Sequence, residues 1–510
     1  MKKFLRKTII AGLAGMITIS ACNKDFLDTE APGGLAPNEF YKTDADADMA
    51  VVAVYDMMQA HYNTDWASLY MVKTMLSDES NAGGSGEGDQ PGYQALDDFK
   101  HDPENDMVRK TWSILYSTIF RANLVINNTD ASNNVRKRIV AEAKALRAYN
   151  YFDLVSLWGD VPLITTQLQP TELTSVTRTP KAQVYAQIVK DLTEAIPDLP
   201  LKSQYGANDK FRISKGTAQA ILGKVYLYQE QWEDAAEQFD AVVLSNEYGL
   251  ESSVGRTFSR FGEFGTESIF EISFTSTEAY TWGNFPWGGQ PESNIHQQLM
   301  GPRSDYYKKA TADSLIGGWG FNTAKKKVYD AFVAAGDMGE RKQATIMSEA
   351  ELRAGGGDWT TTTAWDYEGY FQRKYGSYST QTNSANGATT ELNYGTNFRL
   401  IRYADVLLLG AEAHYRNNNE GKAREYLKLV RERSELPEIN PAGNALFQAI
   451  VNERFLELAF EGHRFQDLVR WGMAPAVLGP LGFVTGKHEL LPIPGNDVRS
   501  AGLTQNPKYN

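Results

Sequence analysis

The apolar and polar positions read as a string of amphipathic helices interrupted by one long stretch of different character. Between Ile213 and Tyr248, residues Ala218, Ile221, Leu222, Val225 and Tyr226 recur at three- and four-residue spacing, the stripe of a buried helix face. Ser214 stands ahead of them as an N-cap, its hydroxyl available to an orphan amide of the first turn. After a break at Gln229–Gln231, a second stripe of Ala235, Ala236, Phe239, Val242 and Val243 predicts a partner helix. The same spacing predicts helices over 44–61, 107–128, 135–157, 181–195, 406–415, 420–430, 446–460 and 463–471. Thr43 is the expected N-cap of the first, with Asp44 and Asp46 suited to the positive end of its dipole. Thr179 and Pro180 are expected as N-cap and first helical residue of the helix 181–195.

Within 213–248, Leu222, Gly223, Tyr226, Ala235 and Phe239 fall at the offsets of a tetratricopeptide repeat. Small Gly223 and Ala235 allow two helices to approach, and the aromatics fill the space beside them. A second pair, 406–415 and 420–430, has Ala411 and Ala423 at the small positions, Leu427 at a bulky one and His414 in place of the aromatic. Residues 249–397 lie between the pairs, so this is no tandem array. The predicted fold is mostly α, a tetratricopeptide-like hairpin scaffold with inserted loops and short strands that form the ligand-binding region. Inside the insert, 268–274 alternates like a strand. A polar, Gly-rich run over 280–320 then carries Trp282, Trp287 and Trp319, and a later one carries Trp359 and Trp365. Residues 63–103 read as a long connection that holds Ser77–Gly84 and Tyr93; long connections between packed helices are often functional.

The N-terminus reads as an export signal. Lys2, Lys3, Arg6 and Lys7 form a basic head, and the apolar run 8–19 is too short for a permanent span. Ile19-Ser20-Ala21-Cys22 resembles a bacterial lipobox, which makes Cys22 the expected lipidation site. Cys22 is also the only cysteine of the chain, which removes disulfides and cysteine catalysis from consideration. The expected organisation is a leader over 1–21, a lipidated tether over 22–43, an N-terminal helical region over 44–248, the insert over 249–397 and a C-terminal helical region over 398–510.

The formal charge of −12 grows more negative once the basic leader is removed, which argues against nucleic acid or an anionic surface as partner. No nucleophile elbow, P-loop or dinucleotide fingerprint is present. The six His show no ligand spacing, so neither a transition metal nor a cofactor is expected. Glu453, Glu457 and Glu461 lie four apart near Arg454, Arg464 and Arg470, a spacing that predicts a structural ion-pair network rather than a catalytic carboxylate pair.

Five stretches, in order, resemble the SusD/RagB family of outer-membrane nutrient-binding lipoproteins. They are Cys22–Asp28, Ala141–Tyr149 running into Trp158–Leu163, Ile401–Ala413, Asn452–Trp471, and the tail with Leu490–Pro494 and Gln505–Pro507. The resemblance spans nearly the whole chain. It implies a scaffold of four hairpins, with 44–61 paired to 107–128 and 135–157 paired to 181–195. It also implies capture of an oligosaccharide at the cell surface and its delivery to a SusC-like TonB-dependent transporter. By region, the family places ligand contacts in the loop after the first helix and in the insert. Here Trp282, Trp287 and Trp319 are the stacking candidates, because sugar CH faces pack on flat rings. Asp78, Asn81 and Tyr93 are the hydrogen-bonding candidates. Trp112, Trp158 and Trp471 are expected in the core. The alternatives are a secreted glycoside hydrolase, which needs two carboxylates across a bond, and a scaffold that binds only protein.

Overall fold

The computed structural model describes residues 40–62, 66–168, 171–172, 175–287, 289–361 and 363–509. The leader and Cys22 lie outside the described residues. Among those residues, no helix is long and apolar enough to cross a membrane.

Eight helices make four antiparallel hairpins: α1 (Asp44–Ala60) with α2 (Asp106–Asn128), α3 (Asn134–Trp158) with α4 (Lys181–Ala195), α5 (Lys215–Tyr228) with α6 (Trp232–Leu244), and α7 (Tyr403–Arg416) with α8 (Glu420–Arg433). Two further helices, α9 (Asn444–Glu457) and α10 (Arg464–Arg470), follow the last pair. The helix starts are chemically marked. Thr43 and Asp46 form a reciprocal capping box at α1, and the Ser214 hydroxyl accepts from the Thr217 amide at α5. At α4 the cap sits one residue later than expected. Pro180 is itself the N-cap, with no side-chain hydrogen bond, because the backbone of Thr179 instead pairs with Val161.

Close helix contact rests on small residues. A Cβ at Gly223 would stand 2.8 Å from the Phe239 ring, and one at Gly410 would stand 2.9 Å from Tyr426. Asp240 of α6 then accepts hydrogen bonds from Tyr426 at 2.5 Å and pairs with His414 at 2.9 Å. The fourth hairpin therefore stacks on the third, although residues 245–402 separate them.

The insert is more ordered than a loop region. It contributes helices Lys326–Ala335, Glu340–Thr345 and Glu349–Ala354, and strands β2 (Ser268–Ile272), β3 (Tyr307–Lys308), β4 (Phe321–Ala324), β5 (Ile346–Ser348), β6 (Asp358–Trp359) and β7 (Tyr370–Gln372). Among the described residues all sheets are two-stranded and antiparallel. Strand β2 pairs with β8 (Phe398–Arg402), and both are buried on both faces, so the alternation read at 268–274 does not separate a wet face from a dry one. The main core extends from Ala47 to Leu503 and includes Ile269, Phe270, Leu299 and Phe321 of the insert. Trp112 and Trp158 are buried in it, whereas Trp471 is half-buried with its indole N–H donated to Glu412 at 2.8 Å.

A buried ionic network fastens insert to scaffold. Glu457 of α9 accepts from Arg402 at 2.6 Å, from Arg341 at 3.0 Å and from Arg433. Arg341 also bonds Glu453, Arg402 also bonds Glu267 and Glu461, and Lys374 bonds Glu461. Burial opposes ionisation of Glu457, but the surrounding Arg433, Arg402 and Arg341 hold its carboxyl well below the usual range. Each carboxylate is thus matched by guanidinium groups, which is the condition for tolerating charge in a core.

Candidate functional site

Four indoles meet at the surface. Trp282 and Trp287 lie with ring centroids 6.0 Å apart and planes within 15°, and Trp282 and Trp319 lie 6.1 Å apart and within 19°. Trp66 closes the group, 4.9 Å from Trp287 and 5.4 Å from Trp319. Trp282 is 52% and Trp287 44% exposed, while Trp66 and Trp319 are half-buried against the main core. Two large rings left this open side by side form an exposed apolar patch, a feature that marks candidate binding surfaces.

Each ring is set by a different local device. Trp282 and Trp287 flank a turn in which Phe285 and Asn284 donate backbone N–H groups to Thr281, and the Asn284 amide caps the Ala279 carbonyl at 3.1 Å. Phe285 itself is buried with Ile295 and Leu392, and Trp66 and Tyr280 pack on that small cluster. The turn is thereby pinned from below while its two tryptophans stay outside. Trp319 is fixed through its backbone: its N–H donates to the Gln298 carbonyl at 2.8 Å and its carbonyl accepts from Arg303 at 3.1 Å. Trp66 adopts a positive φ of 68°, a conformation that costs a bulky residue free energy and needs surrounding structure to hold it. Part of that hold is the Tyr93 hydroxyl, which donates to the Trp66 carbonyl at 2.7 Å.

The two segments expected to carry the site are joined directly. β1 (Ser80–Gly83) pairs with β4, which begins two residues after Trp319, in the register Ser80–Ala324, Asn81–Thr323 and Gly83–Phe321. The Gly84 N–H donates to the Gly320 carbonyl at 2.8 Å. Gly83 has φ +69°, and a Cβ there would lie 2.3 Å from the Gly320 oxygen, so only glycine allows this approach.

The sequence-predicted residues thus separate into two groups. Trp282, Trp287 and Trp319 come together. The three hydrogen-bonding candidates are engaged with protein groups, Asp78 and Tyr93 in the interior and Asn81 half-buried. Asp78 is 2% exposed and its carboxylate is bound by Arg464 at 2.8 Å and Lys327 at 2.6 Å. Burial pushes its pKa up, but Arg464 and Lys327 outweigh that and hold it below the ordinary value. Tyr93 is likewise 2% exposed, and burial raises its pKa. Asn81 donates its side-chain amide to the Asp366 carbonyl and to Glu368 at 2.9 Å. Asp78 and Tyr93, both buried, support the strand and loops beneath the rings, and Asn81 bridges β1 to residues 366–368 from a half-buried position.

Trp66 escaped the sequence reading. It sits between two helices with no periodic neighbour, and its one signal is a large ring beside the polar run Asn63-Thr64-Asp65. The connection 63–103 also proved to be built from short buried elements, the helices Leu69–Met75 and Pro91–Asp97 around β1, each too brief to show a period.

Other chemistry is poorly placed. Among the described residues no group of three or more His, Cys, Asp or Glu is arranged to hold a metal ion. The Glu453, Glu457 and Glu461 series lies within the buried network, neutralised by arginines and lysine. A separate concavity of about 620 Å³ is lined by Trp112, Tyr116, Ile164, Asp497 and Leu503, but its tryptophan is only 3% exposed.

A surface of exposed indoles on a scaffold of helical hairpins defines a binding protein of the tetratricopeptide-like class. Comparison with known proteins narrows the class. Residues 266–487 match the family model described as "SusD family", and residues 89–227 match one described as "Starch-binding associating with outer membrane". A solved "Laminarin binding SusD-like protein" is 35% identical, with a TM-score of 0.83, over 92% of this chain and 100% of that one. Surface glycan-binding protein A from Bacteroides thetaiotaomicron, solved in complex with laminarihexaose, is 26% identical with a TM-score of 0.77 over 91% of this chain and 100% of its own. A SusD-like protein of Formosa agariphila is 27% identical over 97% of both chains. The chain belongs to the SusD/RagB family.

Proposed function

We propose that this protein is a cell-surface glycan-binding lipoprotein, anchored through Cys22, that captures an oligosaccharide on Trp66, Trp282, Trp287 and Trp319 and hands it to a SusC-like TonB-dependent transporter. The observation that carries the reading is the four-indole cluster with Trp282 and Trp287 half exposed. Rigid rings present apolar area at low entropic cost, which suits the CH faces of pyranose sugars. The solved relatives described as laminarin-binding and as a laminarihexaose complex make β-glucans the first ligands to test. The solved relatives are described as laminarin-binding and glycan-binding proteins, which favours binding over hydrolysis.

The test is affinity electrophoresis of residues 23–510 through gels containing laminarin and other polysaccharides, with product analysis of the same mixtures. Retardation with intact glycan supports the reading; released sugars favour a hydrolase. Absence of both, together with a positive pull-down of the transporter, favours a docking scaffold.

A further inference from the structure

The rim beside Trp319 carries a polar group that neither the sequence reading nor the comparisons assign. Pro302, Arg303 and Ser304 run alongside Gly318–Gly320: the Gly318 N–H donates to the Pro302 carbonyl at 2.6 Å, and the Ser304 N–H donates to the Gly318 carbonyl at 2.8 Å. Gly320 has φ +75°, and a Cβ there would lie 2.8 Å from the Arg303 Cβ and 3.3 Å from its Cδ. The missing side chain is therefore what lets the arginine stem lie across this backbone. The guanidinium is then held at fixed points. Nε donates to Asp305 at 2.7 Å, Nη1 donates to the Trp319 carbonyl at 3.1 Å, and Asp89 stands 4.0 Å away. Nη2 makes no hydrogen bond among the described residues, and the Arg303 side chain is 23% exposed. Asp305 is 56% exposed and binds Arg303 through one oxygen, leaving its other oxygen without a hydrogen bond among the described residues. An open donor and an open acceptor thus stand side by side, anchored to the backbone of a tryptophan of the site.

Carboxylates flank Arg303 itself, while Lys100 faces Glu87, and Lys308 and Lys309 follow Asp305 in the chain. Asp89 comes from the loop packed on Gly320, where its Oδ2 accepts from the Ser85 N–H and hydroxyl. Glu87 of the same loop and Glu278 beside the Trp282 turn are exposed, and Glu292 follows that turn. From 274 to 302 the chain has no Lys or Arg. Among the described residues Arg303 is the one cation bonded to the backbone of a site tryptophan, and it lies between two aspartates.

We propose that Arg303 and Asp305 form a hydroxyl-reading clamp beside Trp319, and that with Asp89 they make the site selective for uncharged glycans over carboxylated or sulfated ones. The proposal rests on the glycan-binding reading and adds the ligand's charge class to it. Arg303 offers a planar donor and Asp305 an acceptor, the combination that holds a sugar hydroxyl as both acceptor and donor. An anionic sugar gains little from an arginine already matched by carboxylates and meets repulsion from the aspartates at short range.

The experiment is a tryptophan-fluorescence titration of residues 23–510 with laminarin, amylopectin and galactomannan, each neutral and after oxidation of its primary hydroxyls to carboxylates. The neutral form of the bound glycan is expected to bind about tenfold more tightly than its oxidised form at low salt, with the gap narrowing as salt screens the aspartates. Asp89→Asn should narrow the gap with the neutral glycan bound within a few-fold of wild type, whereas Asp305→Asn, which removes the clamp's anionic acceptor, should narrow the gap and also weaken the neutral glycan about tenfold. Arg303→Gln should weaken the neutral glycan about tenfold, while circular dichroism and Tm report whether the loop still folds. Equal binding of both forms, or a gap unmoved by either aspartate variant, overturns the clamp and leaves the glycan site standing. Binding of none of the six probes overturns the glycan reading itself.

Discussion

The hydroxyl of Tyr93 reaches the backbone carbonyl of Trp66 at 2.7 Å, linking a buried helix to the one indole of the site that stands in a left-handed backbone conformation. The two residues come from the same connection, yet only Trp66 faces the other rings. The expected effect of Tyr93→Phe is therefore on binding more than on folding. Loss of one hydrogen bond is worth about 1 kcal/mol, which predicts roughly a fivefold weaker glycan affinity at nearly unchanged Tm. An unaltered affinity would show that Trp66 holds its place without this bond.

The four indoles should divide by burial. Trp282→Ala and Trp287→Ala remove half-exposed rings, and each is expected to cost about 2 kcal/mol of binding, roughly 30-fold, with little change in stability. Trp319→Ala and Trp66→Ala, which pack on the main core, should weaken binding and also lower Tm. Affinity gels and thermal melts on the four variants check the division. Wild-type retardation by both exposed-ring variants would remove the cluster as the site.

Glu457 is the hub of the buried network, facing Arg402, Arg433 and Arg341. Glu457→Gln should destabilise the protein by about 3–5 kcal/mol, because cations are left in the core without their counter-charge. The double change Arg402→Met with Glu457→Met should cost less than the sum of its parts. Denaturant titration decides; strict additivity would mean the pair does not interact. Since the Glu457 carboxyl is held low, its contribution is present above the unfolded value near 4.5 and is lost as pH falls through the folded one.

Glu79 behaves in the opposite sense. Burial and the neighbouring Asp78 push it up to about 8 from an ordinary 4.5. Between those values the folded protein keeps a proton that the unfolded chain releases, so Glu79 makes stability fall as pH rises, by up to about 1.4 kcal/mol per unit. Glu79→Gln should remove this component. Urea titrations at pH 5 and pH 8 measure it, and an equal pH difference in both proteins would contradict the assignment.

Sequence pattern was most informative where helices are long and one face is apolar. The stripes at 213–248 and 406–430 correspond to α5–α6 and α7–α8, and the implied pairings of α1 with α2 and α3 with α4 are present. It was least informative where an element is short and buried on every side. Leu69–Met75 carries apolar residues with almost no wet face to set a period against, whereas the strand read at 268–274 is present as β2. The site was legible in the same partial way. Aromatic rings in a polar, Gly-rich run announced Trp282, Trp287 and Trp319, but polarity alone could not distinguish Asp78, which pairs inward with Arg464, from a residue facing ligand. Only the pairing of β1 with β4 decides which polar groups of that loop point inward.

The stacking of α7 on α6 across residues 245–402 has a consequence for how such a chain can change over time. Closing a loop costs entropy that grows only with the logarithm of its length, about 0.6 kcal/mol for each doubling. The seam between those helices is made by Gly410, Phe239, Asp240 and Tyr426, none of which belongs to the intervening segment. Outside its buried strands and ion pairs, the segment can therefore lengthen, shorten or exchange its tryptophan-bearing turns at small thermodynamic penalty while the seam stays in register. Ligand preference and architecture are then free to evolve at different speeds within a single polypeptide.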